Sequence, residues 1–195
     1  MTDPPGPQDD VGTELTEEER EALIPSYITL RSELNEAEQA NILQGEQWAF
    51  ARKRDVLDEK FLNNLHKRMY SNVWRWAGQY RTSGKNIGVD AYRIAAELQQ
   101  LLDDCRYWIE NNTYEPDEIA VRFHHKLVWI HLYPNGNGRH ARLAADLLLK
   151  SMGLERFSWG SKNLVDDGKT RKRYIAALQA ADGHDINPLL EFVRS

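Results

Sequence analysis

His131-Leu132-Tyr133-Pro134-Asn135-Gly136-Asn137-Gly138-Arg139-His140-Ala141-Arg142 is the stretch that decides how this 195-residue chain is read. It follows EPDEIAVRFHHKLVWI, residues 115–130, a run apolar on most sides that predicts a central helix with Pro116 in its first turn. Pro134, Gly136 and Gly138 forbid simple continuation of that helix, so His131 falls at its C-terminal end. A second helix is expected from about Asn137 to Gly153. Between the two, the glycines let successive backbone N–H groups point into one concavity, and the next helix adds its positive N-terminal end. Arg139 and Arg142 are three apart, hence on one face and able to reach one anion. An imidazole, a nest and two guanidiniums are the base, cradle and charge clamp of phosphoryl-transfer chemistry. Each feature alone fits an ordinary helix corner; their combination within twelve residues favours a site.

The flanking chain predicts more helices. Thr16 with Glu19 forms a capping box, and the helix it opens should stop before Pro25. Asn35 with Glu38 signals a second start, and Asp58 a third, with Phe61, Leu62, Leu65 and Met69 on one stripe. Residues 71–90, SNVWRWAGQYRTSGKNIGVD, lose the helical period and read as a turn followed by a short hairpin or extended flap at 80–89. Ile94 to Ile109 is amphipathic and places Cys105 on its buried stripe. Two further helices are expected at about 169–181 and 188–193. The fold class is therefore mainly α, with one small β element.

Composition sets the boundaries. With 41% hydrophobic and 28% charged residues and six Trp, the chain has the means to bury a core. No apolar run is long enough for a membrane span, and Met1–Gly12, rich in Pro and Asp, lacks the pattern of a secretion signal. A single cysteine fits a reducing, cytoplasmic setting. Residues 1–22 carry eight acidic side chains against Arg20 alone, while the remainder is near neutral, so neither membrane nor direct nucleic-acid binding is expected. The clusters Arg52-Lys53-Arg54 and Lys169–Arg173 read as solvated helix faces. Gly78 to Asn86 mimics a phosphate-binding P-loop but has the wrong spacing and no Ser or Thr after Lys85. His124 and His125 diverge around a helix and make no metal pair, and His140 is expected on the helix surface.

The stretch 131–142 resembles the Fic (Fido-domain) motif, H-x-F-x-D/E-G-N-G-R-x-x-R, which marks protein adenylyltransferases. LHKRMYSNVWRWAGQYRTSGKNIG (65–88) resembles the segment leading into that family's flap, and TRKRYIAALQAADGHDINPLLEF (170–192) its C-terminal helices. The likeness covers roughly residues 29–193, and the PNGNGRHAR form resembles the group called mobile mystery protein B, a label that states no function.

The resemblance implies a helical Fic fold with a β-hairpin flap over 35–195. Residues 16–34 would form an N-terminal helix and inhibitory segment, and residues 1–15 a disordered acidic tail. It implies transfer of AMP from ATP to a Tyr, Ser or Thr hydroxyl of an unknown target protein, with Mg2+. His131 would be the general base. Asn137 with the Gly136 and Gly138 backbone would hold the α-phosphate, Arg139 the β/γ-phosphates and Arg142 the γ-phosphate. Tyr174 is a candidate for the adenine pocket, equally readable as a core aromatic. The flap residues Arg81, Ile87, Gly88 and Val89 would align the target by backbone pairing.

Departures from the pattern have consequences. Asn135 stands where the family has an acidic Mg2+ ligand, which predicts weakened metal binding. Leu132 and Tyr133 replace Pro and Phe, and Gly138 stands where the Doc-type phosphotransferases have lysine. Thr29 to Asn35, TLRSELN, resembles the family's inhibitory pattern S/T-x-x-x-E-G/N with Glu33 as the glutamate, and Ser32 with Glu36 is a second register. The alternatives are a Doc-like phosphotransferase and a weak or inactive nucleotide-binding module with an antitoxin-like or self-association partner.

Overall fold

The computed structural model describes residues 15–84, 87–160 and 168–195. Apart from Leu15, the acidic tail read at residues 1–15 lies outside the described residues. Eight α-helices are described: α1 (Glu17–Ala22), α2 (Arg31–Phe50), α3 (Glu59–Tyr70), α4 (Ile94–Glu110), α5 (Pro116–Ile130), α6 (Asn137–Ser151), α7 (Gly168–Asp182) and α8 (Asn187–Arg194). A 3-10 turn, Ala91–Arg93, precedes α4.

Local signals explain most boundaries. The Thr16–Glu19 capping box opens α1, and Asp58 caps α3 by accepting from the N–H groups of Lys60 and Phe61. Pro116 sits in the first turn of α5, and α6 ends at a left-handed Gly153 with φ of 81°. The second helix starts earlier than Asn35. Glu33 reaches back so that its carboxylate accepts from the N–H groups of Thr29 (2.9 Å) and Leu30 (3.1 Å), and this opens α2 at Arg31.

α5 is the centre of the packing, lying against α4 on one side and α6 on the other, while α2 pairs with α3 and α7 with α8. Its fully buried Ile119, Val121, Phe123, Leu127 and Ile130 explain why its sequence is apolar almost all round. Cys105 is buried on α4, and burial pushes its thiol far above the ordinary range, which makes it an inert core group.

Residues 80–89, read as a short hairpin or an extended flap, form no strand among those described. Among the described residues the β pairing is an isolated bridge between Leu23 and Trp74, and the flap forms no ladder of its own. Its backbone is anchored instead to the end of α5: the Arg81 N–H donates to Leu132 O (3.0 Å) and the Val89 N–H to Ile130 O (3.3 Å). Carbonyls left over at a helix C-terminus give these donors a partner that a second strand would otherwise supply.

Candidate active site

The site is built where α5 stops and α6 begins. His131 ends α5 in the left-handed region, with φ of 58° and ψ of 66°, a conformation uncommon for a residue with a side chain. Arg81 holds it there. The Arg81 guanidinium is buried and donates to His131 O (Nε, 2.6 Å), Ile130 O (3.3 Å), Ser83 O (3.1 Å) and Val89 O. Burying an unpaired guanidinium costs several kcal/mol, and bonds to the negative end of a helix offset that cost. Arg81 is therefore a strut tying the flap to the His131 corner, its side chain committed inward and not available to a target segment. Gly88 completes the strut: with φ of 89°, any Cβ there would lie 2.6 Å from His131 Cβ and 2.8 Å from the Arg81 guanidinium. Val89 is buried beneath the flap, and Ile87 turns toward His131.

The loop 132–136 is fixed from both sides. Asn137 accepts the Tyr133 N–H at 2.9 Å and donates to Tyr133 O at 2.9 Å, so its amide staples the loop. The same residue lines the cleft, beside the first-turn backbone N–H groups that an α-helix leaves without intrahelical partners. Gly136 has φ of 78° and its Cα lies against Tyr70, where a Cβ would come within 2.5 Å of the ring. Asn135 Oδ1 accepts the Gly136 N–H at 2.7 Å.

Sequence reading missed His66. Its Nδ1 accepts the Gly78 N–H (3.0 Å), so Nε2 carries the proton and donates to Asn135 O (3.1 Å). The ring stacks on Tyr133 at 3.7 Å, and burial keeps it well below the ordinary histidine range, hence neutral. His140 is also buried, not on the helix surface: it faces Leu62 O at 3.0 Å, and burial lowers it to about 4. Leu143 and Ala144, three and four residues on, share its face of α6 and were the signal that could have shown its burial.

The two motif arginines stand differently. Arg139 pairs with Glu38 at 2.8 Å, and the other oxygen of that buried carboxylate accepts Trp74 Nε1 at 2.6 Å. Arg142 lies 5.4 Å from the Tyr174 ring, whose hydroxyl meets His124 Nε2 at 3.0 Å. His124 is buried and lowered to about 3, so it is neutral. Glu33 is exposed and capping α2, away from both arginines, which corrects its assignment as their partner. The carboxylate that meets one is Glu38, the residue read as a helix-start signal.

His131, Asn137, Gly138 and Tyr174 together line a shallow cleft, completed by the apolar side chains of Ile87, Val128, Ile175 and Leu178. It has an apolar wall suited to a flat ring, an N-terminal helix end suited to anions and an imidazole at the junction. Among the described residues no group of three or more His, Cys, Asp or Glu could hold a metal ion, and no helix is long and apolar enough to cross a membrane.

Comparison with known proteins agrees with this geometry. The Fic/DOC family profile matches residues 56–149. Over 151 residues the chain is 26% identical to "Protein adenylyltransferase fic-1" of Caenorhabditis elegans, covering 73% of this chain and 28% of that protein. Over 134 residues it is 31% identical to the protein of the same name in Caenorhabditis briggsae, covering 66% and 25%. Residues 134–508 of the C. elegans protein superpose with a TM-score of 0.60 and 25% identity, over 80% of this chain and 47% of that one. BepC of Bartonella tribocorum, solved with bound AMPPNP, shares the fold with a TM-score of 0.71 at 16% identity, over 94% and 91% of the two chains. The match places a Fic/DOC family region within the chain, over residues 56–149. The chain spans about a quarter of the length of the adenylyltransferases it matches.

Proposed function

We propose that the protein is a protein adenylyltransferase that moves AMP from ATP to a hydroxyl of a target protein. The observation that carries the reading is the junction of α5 and α6: His131 is locked beside the amide-lined start of α6, with Arg139 and Arg142 on its first turns and an apolar cleft adjoining. The relatives named protein adenylyltransferase support the reaction class.

In the proposed reaction the target hydroxyl oxygen attacks the α-phosphorus in line. The bond from that phosphorus to the bridging oxygen breaks and pyrophosphate leaves, while the hydroxyl proton passes to the His131 imidazole. N–H groups at the start of α6 offset the charge growing on the α-phosphate, and Arg142 answers the terminal phosphate. Arg139 joins in once Glu38 lets go. Tyr174 and the apolar wall take the base, and Ile87 with the flap backbone guides the target segment.

Regulation belongs to Glu38 in this reading, because its carboxylate occupies the guanidinium that the polyphosphate needs. Magnesium fits the chain poorly. The residue aligned with a metal-binding acid is Asn135, and its oxygen is already bonded to the Gly136 N–H, so it brings neither charge nor an open lone pair direction to a metal ion.

The test uses ATP labelled at either the α or the γ phosphate. Protein labelled from the α position supports the reading. Label from the γ position would indicate a Doc-like phosphotransferase, and binding without label an inactive nucleotide-binding module.

A further inference from the structure

At the far end of α6 lies a second concavity that the reaction does not use. α6 has 15 residues, so its C-terminus stands about 20 Å from the loop at its start. There the ends of α2 and α6 border an open concavity of about 320 Å³, with Phe50, Val56 and Leu147 as an apolar floor and Arg52, Lys53, Arg54 and Lys150 around it.

Cations at helix C-termini usually complement the dipole, but here that work is largely done by other groups. Leu148 O accepts the Met152 N–H and the Ser151 hydroxyl, Leu149 O accepts the Leu154 N–H, and Lys150 O accepts the Gly153 N–H. On α2, Gln47 O takes the Ala51 N–H and Trp48 O takes one Arg54 nitrogen at 3.2 Å. The neighbouring acids are also engaged: Asp146 and Glu46 pair with Arg156, and Asp55 accepts the Leu57 N–H. Among the described residues none of the four rim cations has a carboxylate within 4.0 Å.

A second observation points the same way. Arg54 stacks on Trp48, its guanidinium carbon 4.2 Å from the ring centre, and its Nε is buried with no acceptor. The stack orders this guanidinium among the lining cations, so an anion would meet a fork already held in place.

The geometry points to a binding site for a small phosphorylated molecule at this C-terminal end of α6, separate from the nucleotide cleft. Several positive charges around one concavity favour a ligand of two or more negative charges, and the arginines match phosphate oxygens. The Phe50 floor, over which Lys150 lies at 4.8 Å, accommodates a short apolar body.

Inorganic pyrophosphate, titrated into the full 15N-labelled chain at constant ionic strength, tests this. The expected result is saturable shifts of the Phe50–Val56 and Lys150–Gly153 amides with a midpoint at or below about 1 mM. The exposed double reversal Lys53→Glu/Lys150→Glu should raise that midpoint roughly tenfold or more with an unchanged helical spectrum. Linear shifts into the tens of millimolar, an unchanged midpoint in the reversed variant, or shifts confined to residues 134–142 would overturn the proposal. So would tighter binding of a phosphoserine peptide than of pyrophosphate, which would assign the surface to a protein partner.

Discussion

The two ends of α6 carry the same kind of charge and treat it in opposite ways. At the N-terminal end Arg139 is held by Glu38, Arg142 lies over Tyr174, and glycines bring backbone close to Tyr70 and His131. At the C-terminal end Arg52, Lys53 and Lys150 stand at the surface with no acidic partner among the described residues. One end is built to fix atoms within a fraction of an ångström, and the other to gather charge. Rigidity around a reacting centre is what positional catalysis needs, whereas collecting an anion needs only field and space.

The comparison breaks most sharply at His131. His131→Ala should lower transfer by about a thousandfold, within the range for a lost general base, with the helical spectrum intact. If transfer survives that change, the N-terminal end of α6 is not where the proton goes. Arg81→Met tests the fixing of the corner rather than its chemistry. It leaves the carbonyls of Ile130, His131, Ser83 and Val89 without their shared donor, and denaturant unfolding should show a loss of about 3 kcal/mol or more. An unchanged midpoint would mean that the flap is held by other contacts.

Glu38 sets the two glutamates of α2 against each other. Glu38→Gly should raise self-labelling by about tenfold, a typical coupling energy, while Glu33→Gly should leave labelling unchanged and cost only helix stability. Equal effects from both would remove Glu38 from regulation.

Acid should weaken the site's support. His66, His124 and His140 are neutral in the folded protein and held below the ordinary value near 6.5, with His140 at about 4 and His124 at about 3. The unfolded chain binds more protons in that interval, so stability is full above pH 6.5 and falls as pH drops toward 4. Each imidazole contributes roughly 1 kcal/mol per pH unit. Urea midpoints measured between pH 7 and 4.5 give the slope, and a flat profile would mean that these rings are not neutral and buried. The smallest effect is expected at Asn135. Asn135→Asp should raise magnesium-dependent turnover a few-fold, because it adds the missing carboxylate beside the polyphosphate.

Much of the fold could be read from local signals. The Thr16 capping box, Asp58, Pro116 and the glycines after Tyr133 each act within a few residues, and the helices they bound are present. The failures share a cause, which is tertiary partnership. Asn35 and Glu38 resemble a helix start, but Glu33 caps α2 earlier and Glu38 is drawn 101 positions along the chain to Arg139. The flap lacks a helical period and suits a hairpin or an extended segment, yet its donors find the end of α5. The roles of His66 and His140 follow from Asn135 and Leu62 carbonyls distant in sequence. The candidate site residues could be picked out by type and spacing. Which of them face a ligand and which brace the loop could not, because that depends on side-chain direction.

Intact-mass spectrometry of the Glu38→Gly protein after incubation with ATP tests the central claim most directly. The account predicts an added mass equal to one AMP residue, lost when His131 is also replaced by Ala. An added mass equal to a single phosphate, or an AMP adduct that persists without His131, would contradict it.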